Sequence, residues 1–138
     1  MGSKVRSTMR SVLLIEHDPG IRETLRALLE DAGYHVIEAV DGVSGLAVLQ
    51  GSKVPLIVLL DHQLPYMKGC DLFELVKREP PLRRHAYIYM TAMRAAEIAA
   101  QCDTPPAEVD AGVLYKPFDT EAVLDAVAEA EDKLVAAV

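Results

Sequence analysis

The sequence predicts one α/β domain on a five-stranded parallel sheet, strand order 2-1-3-4-5, with helices on both faces. Three observations lead there. Short apolar runs alternate with helix-like periodicity five times along the chain, and such alternation implies parallel strands joined by helical crossovers. Two of the runs, Val12-Leu13-Leu14-Ile15 and Leu56-Ile57-Val58-Leu59-Leu60, are apolar throughout, as strands buried on both faces must be. Each run stops at acidic residues, Glu16-His17-Asp18 after the first and Asp61 after the second. The carboxyl ends of the strands are where open α/β sheets place their ligands.

The elements follow in order. Residues Met1 to Arg10 are small, basic and polar and read as a disordered lead-in (1–10) to a domain spanning 11–138. Asp18 is a good N-cap and Pro19 a good first helical residue. Ile21, Leu25, Leu28 and Leu29 then recur at helical spacing, and Gly33 supplies a left-handed C-terminal cap. His35 to Ala39 is short and mixed, which suits an edge strand. Asp41 caps a second helix carrying Leu46 and Leu49, closed at Gly51. After the strand to Asp61, a loop with Pro65 and Gly69 leads to a helix with Leu72, Leu75 and Val76, ended by Pro80-Pro81. Ala86 to Met90 is the fourth strand, followed by an alanine-rich helix through Cys102. A loop at Asp103 to Pro106 precedes the fifth strand, Gly112 to Tyr115. The last helix begins near Asp119 with Val123, Val127, Ala130 and Leu134 on one stripe.

At 138 residues the chain is sized for one core. The formal net charge of −7 gives a surface that repels nucleic acid and anionic lipid. No apolar stretch reaches membrane-spanning length, and no signal-like segment precedes the first strand. The expectation is a cytoplasmic protein that binds neither membrane nor nucleic acid directly. Cys70 and Cys102 lack a CxxC-type neighbour, which argues against sulfur-held metal. A fold of this size needs no disulfide and suits a reducing interior, although a single disulfide stays compatible with the sequence. His35 and His85 read as surface residues.

The strand order brings four strand ends to one cleft. They contribute Glu16, His17 and Asp18, then Asp61, then Thr91, then Lys116 followed by Pro117. Each alone has a plainer reading: Asp61 and Thr91 as turn residues, Lys116 as a solvated lysine. Together, the segments Leu14-Ile15-Glu16-His17-Asp18-Pro19 with Arg22, Leu56 to Asp61 through Leu64-Pro65 and Gly69, Met90-Thr91-Ala92, and Leu114-Tyr115-Lys116-Pro117-Phe118 resemble the receiver domain of two-component response regulators, a flavodoxin-like fold. The resemblance covers nearly the whole chain from Ser11. It implies that Asp61 is the phosphoacceptor, taking a phosphoryl group from a sensor histidine kinase or a histidine phosphotransfer protein. It implies that Thr91 and Lys116 stabilise the phosphoryl group, and that magnesium is held by Glu16, Asp61 and the backbone carbonyl of Gln63. It implies an effector partner, and it makes the face of helix 4, strand 5 and helix 5 a candidate for homodimer contact. Ala95, Ala96, Ala99 and Ala100 on that helix fit core packing equally well. Activity of its own would be limited to self-phosphotransfer and autodephosphorylation. A cis bond at Lys116-Pro117 also follows from the resemblance.

Two positions depart from the pattern. The direct metal-ligand position, normally acidic, is His17. Asp18 is acidic but one residue late, and is better placed to cap the helix. Magnesium prefers hard oxygen ligands, so the substitution weakens the metal site. Three readings stay open: a slowly phosphorylated receiver with weak metal, a receiver in which protonated His17 partly replaces the metal's charge, and a phosphorylation-independent interaction module. The second departure is Val113, where the family has a switch aromatic that moves with Thr91; Tyr115 should face another way. A transition-metal site of Glu16, His17, Asp61 and His62 is conceivable by ligand type but matches no known spacing, and His62 should face away from Asp61. A flavin-type cofactor binder would need a Gly, Ser or Thr phosphate loop where Glu16-His17-Asp18 stands. An acid-catalysed phosphatase would need an acid where Gln63 stands.

Overall fold

In the computed structural model, which describes residues 10–136, five parallel strands are ordered 2-1-3-4-5, as the apolar alternation predicts. The strands are β1 (Ser11–Ile15), β2 (His35–Ala39), β3 (Ile57–Asp61), β4 (Ala86–Thr91) and β5 (Gly112–Tyr115). The helices are α1 (Pro19–Asp31), α2 (Gly42–Gly51), α3 (Asp71–Arg78), α4 (Ala95–Gln101) and α5 (Thr120–Ala136). Two short 3-10 turns, at Pro80–Arg84 and Pro106–Val109, were not expected from the sequence. In both, proline with its fixed φ starts the turn. Apart from Arg10, the expected lead-in lies outside the described residues.

The sheet divides two apolar layers, because side chains alternate along each strand. Val12, Leu14, Ile57, Leu59, Ile88 and Met90 face α1 and α5. Leu13, Ile15, Val58, Leu60, Tyr87 and Tyr89 face α2, α3 and α4. β3 and β4 are buried along their whole length, which is why their sequence reads as an unbroken apolar run. α5 meets the first layer through Val123, Val127, Ala130 and Leu134, all buried. Its buried Glu131 also accepts a hydrogen bond from the Tyr34 hydroxyl at 3.0 Å.

The caps follow the sequence. The Asp18 carboxylate accepts the backbone N–H groups of Gly20 and Ile21 at 2.8 and 3.0 Å, and Asp41 accepts that of Ser44 at 2.7 Å. Gly33 takes a φ of 98°, open to glycine without strain.

Three expectations are corrected. His85 is buried rather than on the surface. It precedes β4 and replaces a ladder partner: the Leu56 N–H donates to its Nδ1 at 2.9 Å, and its Nε2 lies 3.2 Å from the Leu49 carbonyl. Ala95, Ala96, Ala99 and Ala100 are exposed, and α4 buries Ile98 alone; alanine carries too little apolar area to force a helix face inward. Cys70 and Cys102 are joined in a disulfide with Cα atoms 5.7 Å apart, so the expectation of a disulfide-free fold does not hold.

Burial holds the His85 imidazole below its ordinary pKa of 6.5. The folded state then binds the proton less readily than the unfolded chain. Its stability contribution is complete above pH 6.5 and is lost as pH falls toward the lower folded value. Chemical denaturation at stepped pH should therefore show falling stability below about pH 6.5. In His85→Asn, whose amide oxygen can still accept the Leu56 N–H, that part of the slope should vanish; an unchanged slope would remove His85 from the account.

Candidate functional site

The parallel register sets the site. Ile15 pairs with Leu60, so the next residues, Glu16 and Asp61, emerge side by side on the face shared with α1 and α5. The ladder runs one residue beyond the first strand, with the Glu16 N–H donating to the Ala39 carbonyl at 3.0 Å. It does the same at the other two ends, His62 N–H to Met90 carbonyl at 2.9 Å and Lys116 N–H to Thr91 carbonyl at 2.8 Å. These bonds fix the backbone beneath the polar side chains.

Asp61 is 3% exposed and Glu16 1% exposed, so two carboxylates lie buried together. Lys116 Nζ donates to Asp61 Oδ1 at 2.7 Å. Glu16 Oε2 accepts the Asp18 N–H at 3.0 Å, while Glu16 Oε1 is buried without a hydrogen-bond partner. Burial raises the Glu16 pKa, the Asp18 N–H opposes the rise, and the charge of Asp61 adds to it. Arg22 locks the turn from below, donating to the carbonyls of Glu16 and His17 at 2.9 and 3.2 Å while its Nε meets Glu38 at 3.0 Å.

A cleft of about 120 Å³ lies over Asp61, lined also by His62, Gln63, Thr91, Ala92, Met93 and Lys116. Thr91 is buried, and its hydroxyl oxygen accepts the Met93 N–H at 3.0 Å. The structure thus brings Glu16, Asp61, Gln63, Thr91 and Lys116 to one place. His17 does not join them: it is exposed and lines an outer groove with His62, Gln63, Leu64, Pro65 and Lys68. His62 turns to the opposite face, as strand alternation predicts, and its Nδ1 meets the Tyr89 hydroxyl. Burial lowers the His62 pKa. Val113 packs partly buried against the α2–α3–α4 layer, and Tyr115 is exposed. The Lys116-Pro117 bond is cis.

Sequence reasoning missed Tyr89 and the Cys70–Cys102 bridge as neighbours of the site. Tyr89 sits inside an apolar strand, where its ring looks like core. The cysteines meet only through the packing of α3 and α4.

Comparison with known proteins bears on the family and the fold. The model of the response regulator receiver domain family matches residues 12–128. The receiver protein CpdR of Brucella abortus is 35% identical over 130 residues, covering 94% of this chain and all of CpdR. RpaA of Synechocystis, described as a DNA-binding dual master transcriptional regulator, is 32% identical over 84% of this chain, but the chain spans 46% of its length. The chemotaxis protein CheY4 of Vibrio cholerae is a structural neighbour, with a TM-score of 0.76 and 27% identity over 89% of this chain and 99% of that one.

Gly69 offers a test of how closely the loop after β3 must approach Asp61. Its N–H donates to the His62 carbonyl at 2.8 Å, and a Cβ there would stand 2.3 Å from the Asp61 carbonyl oxygen. Gly69→Ala should lower unfolding stability by about 1–3 kcal/mol, the usual cost of overpacking, as read by urea denaturation. Stability within experimental error of the parent would show that the loop yields freely.

Proposed function

The chain belongs to the response regulator receiver domains of two-component signalling, and on that premise we propose that it accepts a phosphoryl group on Asp61 from a phosphohistidine donor and thereby switches its protein contacts. The observation that carries this reading is the Lys116–Asp61 pair at 2.7 Å on the floor of a cleft walled by Thr91. One Asp61 carboxylate oxygen attacks phosphorus and the histidine nitrogen leaves, giving an acyl phosphate. Charge on the phosphoryl oxygens must be neutralised as it develops. Lys116 can follow the transferred group with its ammonium, and the Thr91 hydroxyl, now only an acceptor, has its hydrogen free to donate. Partners on this reading are a sensor histidine kinase or phosphotransfer protein and an effector. The chain serves as acceptor and switch rather than as an enzyme with a substrate of its own.

The family implies magnesium, and the residues present fit a hard divalent cation. Glu16 Oε1 is a buried acceptor without a partner, beside Asp61, and Gln63 lines the same cleft. Glu16, Asp61 and the Gln63 carbonyl make an all-oxygen donor set. Such a cation supplies positive charge to the transferring phosphoryl group when bound. The set is sparse: among the described residues no group of three or more His, Cys, Asp or Glu side chains is placed to hold a metal ion. His17 on the outer groove adds no oxygen donor.

A second reading, an interaction module that works without phosphate, is favoured by one observation. The position that would strengthen cation binding is held by His17, whose side chain lines the outer groove.

Incubation with acetyl phosphate and magnesium across about pH 5.5 to 8 should add the mass of one phosphoryl group, and Asp61→Asn should add none. His17→Asp should tighten magnesium binding several-fold in calorimetry, since even a quarter of the roughly 4 kcal/mol between charges 4 Å apart at an effective dielectric of 20 is that large. Absence of phosphate from both the parent and His17→Asp would decide for the second reading.

A further inference from the structure

α4 is a seven-residue helix that buries one side chain, Ile98. A helix this short does not persist without tertiary support. Its C-terminal end has two further tethers. Lys68 Nζ donates to the Gln101 carbonyl at 3.2 Å, and Cys102, its C-cap, is bonded to Cys70. Cys70 is the N-cap of α3 and follows Gly69, the residue pressed against the Asp61 carbonyl. A second route joins the same points: the Tyr89 hydroxyl lies 3.8 Å from Cys102 Sγ and also meets His62 Nδ1. The sulfur pair therefore ties the end of α4 to the loop that runs from Asp61 to α3, with Tyr89 bridging the two from inside.

We propose that Cys70 and Cys102 are a reversible thiol–disulfide site, opened by a dithiol reductant, that fastens α4 to the loop after β3 and holds that loop against Asp61. The bridge closes a separation of 32 residues, so its loss frees the unfolded chain and lowers the stability of the folded one. Cys70 is 2% and Cys102 5% exposed, so a reductant reaches sulfur through local opening of the first turns of α4, a helix that buries Ile98 alone. The reductant's thiolate attacks Cys102 Sγ, the Cys70–Cys102 bond breaks, and Cys70 leaves as a thiolate that takes a proton. The reductant's second thiol then attacks the mixed disulfide and releases Cys102 as a thiol. Two electrons and two protons pass to this chain, and the reductant becomes a disulfide. Glutathione disulfide reverses the step.

The test uses the full chain, oxidised with glutathione disulfide and then divided, half being reduced with dithiothreitol without denaturant. Alkylation by iodoacetamide, read by intact mass, should find no free thiol in the first half and two in the second. Hydrogen exchange of peptides covering 62–69 and 94–102 should be about tenfold faster or more in the reduced half. Cys70→Ser/Cys102→Ser should exchange like the reduced chain with or without dithiothreitol; should that variant fail to fold, the two halves of the parent decide alone. Failure to form the bridge, failure to reduce it natively, or equal exchange in the two halves would each overturn the proposal. Phosphoryl uptake from acetyl phosphate should also be several-fold slower in the reduced half, because the Gln63 end of the loop is less well held. That last arm alone rests on Asp61 as phosphoacceptor. Uptake in neither half would defeat that reading and leave exchange to judge the redox site, whereas equal uptake in both would overturn the hold on Asp61.

Discussion

Glu16 and Asp61 are buried side by side, and the ammonium of Lys116 is paired with Asp61 to offset them. Like charges brought together in a poorly solvated place raise each other's free energy, so this edge of the sheet is organised around relieving that repulsion. The relief comes from three strands in parallel register. β1 and β3 deliver the carboxylates, and β5 delivers the lysine through a backbone bond to the end of β4. The cleft over Asp61 exists because these strands stop together. Glu16 keeps one oxygen buried and unpartnered.

Around that core of charge the neighbours divide into rigid and loose. Arg22 pins the turn after β1 by two carbonyls and reaches Glu38. On the opposite side, the loop after β3 lies against the Asp61 backbone at Gly69 and continues into α3, while α4 beyond it touches the core through Ile98. The wall at β1 is pinned by side-chain hydrogen bonds, whereas α4 is held by Ile98, the Lys68 bond and the disulfide.

Much of this was legible in the sequence. Unbroken apolar runs marked the doubly buried strands, and the residues that stopped them marked the site, because burial of both faces leaves polar side chains nowhere to sit except at the ends. Asp18 and Asp41 were readable as caps because their geometry is local. What stayed hidden depended on partners distant in the chain. His85 looks like any polar residue before a strand; its burial depends on Leu56 and Leu49 arriving with one donor and one acceptor. The alanines of α4 were ambiguous because a methyl group is at home on either side of a helix. The meeting of Cys70 with Cys102 follows from where α3 and α4 come to rest across the sheet. His17 was recognised as the anomalous position, but only the fold places its ring on the outer groove.

The hydrogen bond from Tyr34 to Glu131 joins residues 97 apart in the chain, linking the turn after the first helix to the last. It is buried, so it cannot be exchanged for water until the two regions separate. Loss of α5 would take the Glu131 acceptor from the Tyr34 hydroxyl, and loss of the first strand–helix unit would take the Tyr34 donor from Glu131. Each end of the domain thus makes the other's departure costly. This favours melting as a single cooperative unit over peeling from either terminus.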